Sequence, residues 1–108
     1  MSIKRVLPGL VGGLVALFAA APLAHAAGTV NLVAYSTPQD AYKRIIPLFQ
    51  RTPPGKGVKF TQSYGASGDQ SRAVAAGQKA DILHLALEPD VTRLVPSLVA
   101  PSWNDNRY

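Results

Sequence analysis

The sequence predicts an α/β fold: a parallel sheet with flanking helices, in the order βαβαβα. Three observations carry this reading. Short β-rich runs recur along the chain, helix-length stretches lie between them, and Gly, Pro, Ser and Thr cluster at the junctions. Residues 30–35 (Val-Asn-Leu-Val-Ala-Tyr), bounded by Gly28 and by Ser36-Thr37-Pro38, read as a buried strand. A helix is expected next, with Thr37 as N-cap, Pro38 at the first helical position and Asp40 near the positive end of the dipole. Tyr42, Ile45, Ile46 and Phe49 supply its apolar face, and Pro47 is expected to end or bend it. Residues 51–57, with Pro53, Pro54 and two glycines, form a turn-rich link to a second strand at residues 58–62. Residues 63–70 read as a small-residue turn running into a helix of about ten residues that stops at Gly77. A third strand is expected over residues 80–86 and a further helical piece over residues 90–95. In such sheets ligands bind beyond the carboxyl ends of the strands, where the strand order reverses. That rule nominates the loop at Ser36-Thr37 and the loop at residues 65–69.

The first quarter of the 108 residues has a different composition from the rest. Lys4 and Arg5 precede a charge-free, mostly apolar run over residues 6–23, and Ala24-His25-Ala26 supplies small residues at the outer positions of a cleavage site. This is the order of a secretory signal, so residues 1–26 are expected to be removed after Ala26. A membrane anchor fits less well, because Pro8, Gly9, Gly12, Gly13 and Pro22 interrupt the run. Residues 27–108 then carry nine Lys/Arg against six Asp/Glu, a net charge of +3. These charges are dispersed, with no basic run and only single aromatics nearby, which argues against a nucleic-acid groove. The absence of cysteine excludes a lipid-modified cysteine at the leader junction and a disulfide scaffold.

The turn Gly65-Ala66-Ser67-Gly68 has the chemistry of an anion seat. Small side chains let an oxyanion approach the backbone, Ser67 can donate a hydroxyl hydrogen bond, and the first N–H groups of the helix converge on the same point. The macrodipole adds about half a positive charge there, so no Lys or Arg is needed. A serine in this position also serves as an ordinary N-cap of a helix without a ligand, and the turn alone leaves both readings open. Catalysis is not expected: the nucleophile elbow wants glycine on both sides of the serine at a spacing of two, and Asp69 stands at the second place. No phosphate-loop motif occurs, and no cofactor is expected. His84, the only histidine after the leader, cannot build a zinc site alone and is expected to pack in the core. Asp81, at the start of the third strand, is expected to cap or order a turn rather than perform catalysis.

Residues 32–42 (Leu-Val-Ala-Tyr-Ser-Thr-Pro-Gln-Asp-Ala-Tyr), 62–74 (Gln-Ser-Tyr-Gly-Ala-Ser-Gly-Asp-Gln-Ser-Arg-Ala-Val), Gly77, Ala80-Asp81-Ile82 and 85–90 together resemble sulfate/thiosulfate-binding proteins of ABC importers. The most specific part is Ser-Tyr-Gly-Ala-Ser-Gly-Asp-Gln coupled to Ala80-Asp81 about a dozen residues later. The resemblance implies a type II periplasmic-binding-protein-like fold, in which a two-domain clamp holds the oxyanion on helix N-termini and uncharged donors. By position, Ser67 matches the serine that donates to sulfate, with Ala66, Gly68 and Asp69 around it and Ser36 and Thr37 in the first loop. It further implies a periplasmic location and an inner-membrane ABC permease as partner. Two departures stand out. Ser36-Thr37 replaces an Asp-Pro pair found in several relatives, and Asp69 stands where some carry lysine, placing a carboxylate in competition with a dianion for one dipole. Family chains are roughly three times longer than residues 27–108, so a truncated member is expected, with only the N-terminal part of the first domain. A molybdate or tungstate binder, or an exported fragment acting through protein contacts alone, are the alternatives.

Overall fold

The computed structural model describes residues 27–105; the expected leader and its cleavage site lie outside them. The order is βαβαβα, as read from the sequence: β1 (Thr29–Tyr35), α1 (Gln39–Gln50), β2 (Lys59–Gly65), α2 (Ser67–Ala75), β3 (Ile82–His84) and α3 (Glu88–Thr92). The three strands form one parallel sheet in the order β2-β1-β3. Tyr35 pairs with Gly65, and Ala34 with His84, at the carboxyl edge. The chain therefore steps from the central strand to one side and then crosses to the other, so the strand order reverses at β1.

The central strand is covered on both faces, and its alternation divides the core in two. Leu32 and Ala34 pack with Ile46 of α1, joined by Tyr42, Phe60 and Tyr64. Val33 points the other way and packs with Val74 of α2 and Leu94, joined by Leu83, Ala80 and Val99. Nearer the amino edge one side chain of β1 links β2 to the residue that enters β3. Asn31 donates from its backbone N–H (2.7 Å) and its Nδ2 (2.8 Å) to Asp81 Oδ2, and its Oδ1 accepts from Thr61 Oγ1 (2.8 Å). Asp81 N–H returns a bond to Asn31 O at 2.8 Å, so Asp81 does order the entry to β3.

Several element limits differ from the sequence reading, each for a local reason. β2 runs on through Ser63, Tyr64 and Gly65, which read as turn, because pairing with β1 continues to its last residue. β3 is three residues rather than seven; as an edge strand it pairs on one side only. α3 starts at Glu88 and ends at Thr92, with Pro89 near its start, instead of occupying residues 90–95. α1 continues through Pro47 to Gln50, since the ring lies on the solvent side and the following turn is secured from outside. Gln50 Nε2 donates to Val58 O (2.8 Å), and Thr52 Oγ1 donates to Phe49 O (2.6 Å). The residue before α1 is Pro38, and no side chain caps the helix, so Thr37 is not its N-cap. α2 stops as expected at Gly77, whose φ of +111° suits glycine. Gly77 N–H bonds Val74 O and Gln78 N–H bonds Ala73 O, closing the end in the Schellman manner.

Two outcomes follow from these contacts. A Cβ added at Gly55 would lie 2.0 Å from Phe49 O, a backbone atom that cannot swing aside. Gly55→Ala is expected to cost about 1–3 kcal/mol in chemical denaturation; an unchanged midpoint would show the loop to be freely adjustable. Asp81 is held below the usual carboxylate range, first by the Asn31 N–H and then by the Asn31 side chain. A depressed folded-state pKa stabilises above the unfolded value of about 3.9, and that contribution is lost as pH falls through the folded value. Thermal melts of Asp81→Asn against wild type should thus differ at neutral pH and converge in acid below about pH 4; a gap that stays constant with pH would rule this out.

Candidate functional site

Because the strands are parallel, the segments that follow β1, β2 and β3 all leave from the same edge. The loop after β2 is held from below by a buried side chain. Gln70 Nε2 donates to Ala34 O (3.1 Å) and to Ser63 Oγ (3.0 Å), tying the first turn of α2 to the central strand. This amide lies against Gly65, where a Cβ would meet Gln70 Oε1 at 3.4 Å, an ordinary contact. The chain then takes an extended step at Ala66 (φ −64°, ψ 140°) and becomes helical at Ser67. The first bond within the helix runs from Gln70 N–H to Ala66 O at 3.0 Å. The N–H groups of Ser67, Gly68 and Asp69 consequently have no acceptor inside the helix.

Ser67 is the first helical residue rather than the N-cap; Ala66 holds the cap position, and no side chain caps α2. Its hydroxyl is instead engaged across the edge, where Ser67 Oγ accepts from Ala86 N–H at 3.0 Å. The oxygen is used as an acceptor, so the hydroxyl proton remains to be donated elsewhere. Ser67 and Gly68 are half-buried and Asp69 is exposed. The Asp69 carboxylate pairs with Arg72 one turn later, so the negative charge at the head of α2 is met by a cation on the same helix. Gly68 sits between charged groups: a Cβ there would lie 3.4 Å from Arg72 Nη1 and 3.5 Å from Asp90 Oδ1.

Of the residues nominated from sequence, Ala66, Ser67, Gly68 and Asp69 share this one helix start. Ser36 and Thr37 leave the adjacent strand next to them through the Tyr35–Gly65 pair. Both are exposed, and no side-chain hydrogen bond among the described residues joins either to Ser67. Groups absent from the sequence reading complete the edge. Gln70, Ala86, Ser71 and Asp90 hold α2 against its neighbours, and only the tertiary pairing reveals them. Ser71 Oγ donates to Asp90 O at 2.6 Å. The Asp90 carboxylate is buried, 3.8 Å from Arg93 Nη2 through Oδ1, while its Oδ2 has no hydrogen-bond partner among the described residues.

His84 is not a core residue. It lies exposed on β3, which among the described residues pairs with β1 alone. Its Nδ1 meets Tyr42 Oη at 2.9 Å, and its ring stands edge-on to Tyr35 and Tyr42 at centroid distances of 5.4 and 5.9 Å. Partial burial, reinforced by Tyr42 and opposed by Lys43, raises the nearby Tyr64 phenol above its ordinary value. Grooves lie away from Ser67 as well. One of about 330 Å³ borders Asn31, Gln78 and Asp81; an apolar one of about 290 Å³ borders Val30, Ile45, Phe49 and Ile82. Among the described residues no cluster of three or more His, Cys, Asp or Glu could hold a metal ion.

Comparisons with known proteins bear on the family and the fold. The chain is 45% identical over 78 residues to a sulfate-binding protein of Synechococcus elongatus, covering 68% of this chain and 22% of that protein. It is 42% identical over 83 residues to a sulfate-binding protein of Synechocystis, covering 73% and 24% respectively. A thiosulfate-binding protein of Pseudomonas aeruginosa is 32% identical over 85 residues, covering 74% of this chain and 26% of that protein. The sulfate-binding protein SubI from Mycobacterium tuberculosis superposes with a TM-score of 0.69 at 41% identity, covering 73% of this chain and 28% of that one. The chain thus spans about a quarter of the length of the relatives it matches. The model for bacterial extracellular solute-binding proteins matches residues 30–106, and with the parallel sheet and its carboxyl-edge loops in place, the chain belongs to that family.

Proposed function

We propose that this chain captures a tetrahedral oxyanion, sulfate or thiosulfate, at the start of α2, as the N-terminal part of a receptor that delivers it to an inner-membrane ABC permease. One observation carries the reading. Ser67 Oγ already accepts from Ala86 N–H, which leaves its proton free to point at a guest beside the unpaired N–H groups of Ser67, Gly68 and Asp69. These donors are neutral, the helix dipole favours negative charge at this end, and the small side chains of Gly65, Ala66 and Gly68 admit it to the backbone. The Asp69–Arg72 pair moderates the repulsion that a carboxylate in the first turn exerts on a dianion. The sulfate- and thiosulfate-binding relatives support the choice of ligand. Ser36 and Thr37 supply the first-strand side of the seat. The facing wall comes from the part of the receptor that matches the remaining three quarters of the relatives.

The leader of residues 1–26 directs export and is removed after Ala26, which puts the receptor in the periplasm. Recognition by uncharged donors requires no catalytic group, in keeping with a family of solute-binding proteins rather than enzymes.

Calorimetric titration with sulfate, thiosulfate and molybdate tests the assignment. With one wall of the clamp only, sulfate and thiosulfate are expected to bind at about millimolar Kd, near −4 kcal/mol, and to compete with each other. Ser67→Ala removes a hydrogen bond to a charged guest and is expected to weaken binding by about tenfold, on the order of 1.5 kcal/mol. Silence with all three anions contradicts the assignment, and preference for molybdate redirects it to the larger oxyanions.

A further inference from the structure

Two serines on one face of α2 hold the segment that follows β3. Ser67 and Ser71 are four residues apart, one above the other on the helix. Their partners, Ala86 N–H and Asp90 O, are also four residues apart. The result is a two-rung ladder between the first half of α2 and residues 86–90. The upper rung is the one that orients the Ser67 hydroxyl; the lower rung is buried, with Ser71 fully enclosed.

A serine at this place calls for an explanation. In the interior of a helix serine is a poorer choice than alanine, and its hydroxyl ordinarily turns back to the carbonyl one turn earlier. Here it donates instead to a different element, over a distance of 2.6 Å and out of reach of water. The segment it grips needs an outside anchor, because α3 is only five residues long and has no side-chain N-cap. A helix of barely more than one turn does not hold itself. The position of Ala86 N–H thus depends on where Asp90 is fixed.

We infer that Ser71 is a positioning residue for the Ser67 donor: its hydroxyl fixes the β3–α3 segment in the register at which Ala86 N–H meets Ser67 Oγ and turns the Ser67 proton toward an oxyanion. This rests on the oxyanion reading of Ser67 proposed above. Ser71 itself touches no ligand. Without the lower rung, residues 86–90 drift, the Ser67 oxygen loses its N–H donor, and its proton is free to turn to other acceptors.

The test uses the 108-residue chain and follows two quantities: hydrogen exchange of the Ala86 amide, and sulfate affinity by titration. Ser71→Ala is expected to speed Ala86 exchange by about tenfold relative to global opening and to weaken sulfate by a similar factor. Ser71→Cys, which keeps a weak donor, is expected to fall between wild type and Ser71→Ala, and serves where the alanine variant folds poorly. Val74→Ala removes buried volume from the same helix without touching either rung, so it should lower stability yet leave both readouts within about twofold of wild type. If wild type binds sulfate while Ser71→Ala keeps a protected Ala86 amide and full affinity, the positioning role is overturned and the oxyanion reading stands. The positioning role also falls if Val74→Ala moves both readouts as far as Ser71→Ala. If wild type shows no response to sulfate, the oxyanion reading falls and takes the positioning role with it, whatever Ala86 does.

Discussion

The pairing of β1 with a parallel neighbour on each side is the constraint from which the rest of the structure follows. Parallel pairing makes every strand end at the same edge, so the segments after Tyr35, Gly65 and His84 all leave from one side of the sheet. It also buries β1 on both faces, which is why Leu32, Val33 and Ala34 are consecutive apolar residues rather than an alternating run. Their opposite directions assign α1 to one face and α2 to the other. With the helices so assigned, α2 must begin beside the central strand, and Gln70 converts that proximity into a fixed position by bonding Ala34 O.

The site inherits this order of causes. A helix start is a general source of unpaired N–H groups, and by itself it says little about function. Here it is joined to the segment after β3 through hydroxyl groups at both ends of one helical turn. Fixed dipoles of this kind suit a fully ionised oxyanion, since they stabilise charge without a titrating partner and without the flexibility of a long cationic side chain. Asp69 is out of place beside a dianion only when its own ion pair with Arg72 is ignored.

Much of this could be read from the residues alone, and the remainder shows where local reasoning stops. The order of elements followed from composition and spacing, because buried parallel strands and their turns leave a strong local signal. The helix start at Ser67 and the stop at Gly77 were visible for the same reason. The run of β2 into Tyr64 and Gly65 was hidden, since those residues have turn chemistry and only the pairing with Ala34 and Tyr35 makes them a strand. Thr37 has the chemistry of a cap and is none, because the helix begins after Pro38. His84 has apolar neighbours in sequence, yet it is exposed on β3, which among the described residues pairs with β1 alone. Ser71 and Gln70 could not be singled out, for their roles depend on Asp90, Ala34 and Ser63, which only the fold brings to them. The resemblance pointed to Ser67 as a donor; the structure adds the bond that its oxygen accepts from Ala86 N–H.

Everything functional in this proposal depends on a neutral cradle of peptide N–H groups and one hydroxyl at the head of α2. Amide chemical shifts of the isotope-labelled chain, followed during addition of sulfate, address it residue by residue. The Ser67, Gly68 and Asp69 amides are expected to move first and furthest and to saturate together, with Ala86 following through its bond to Ser67 Oγ. Shifts that centre instead on Lys and Arg surfaces, or a spectrum that sulfate leaves unchanged, would contradict it.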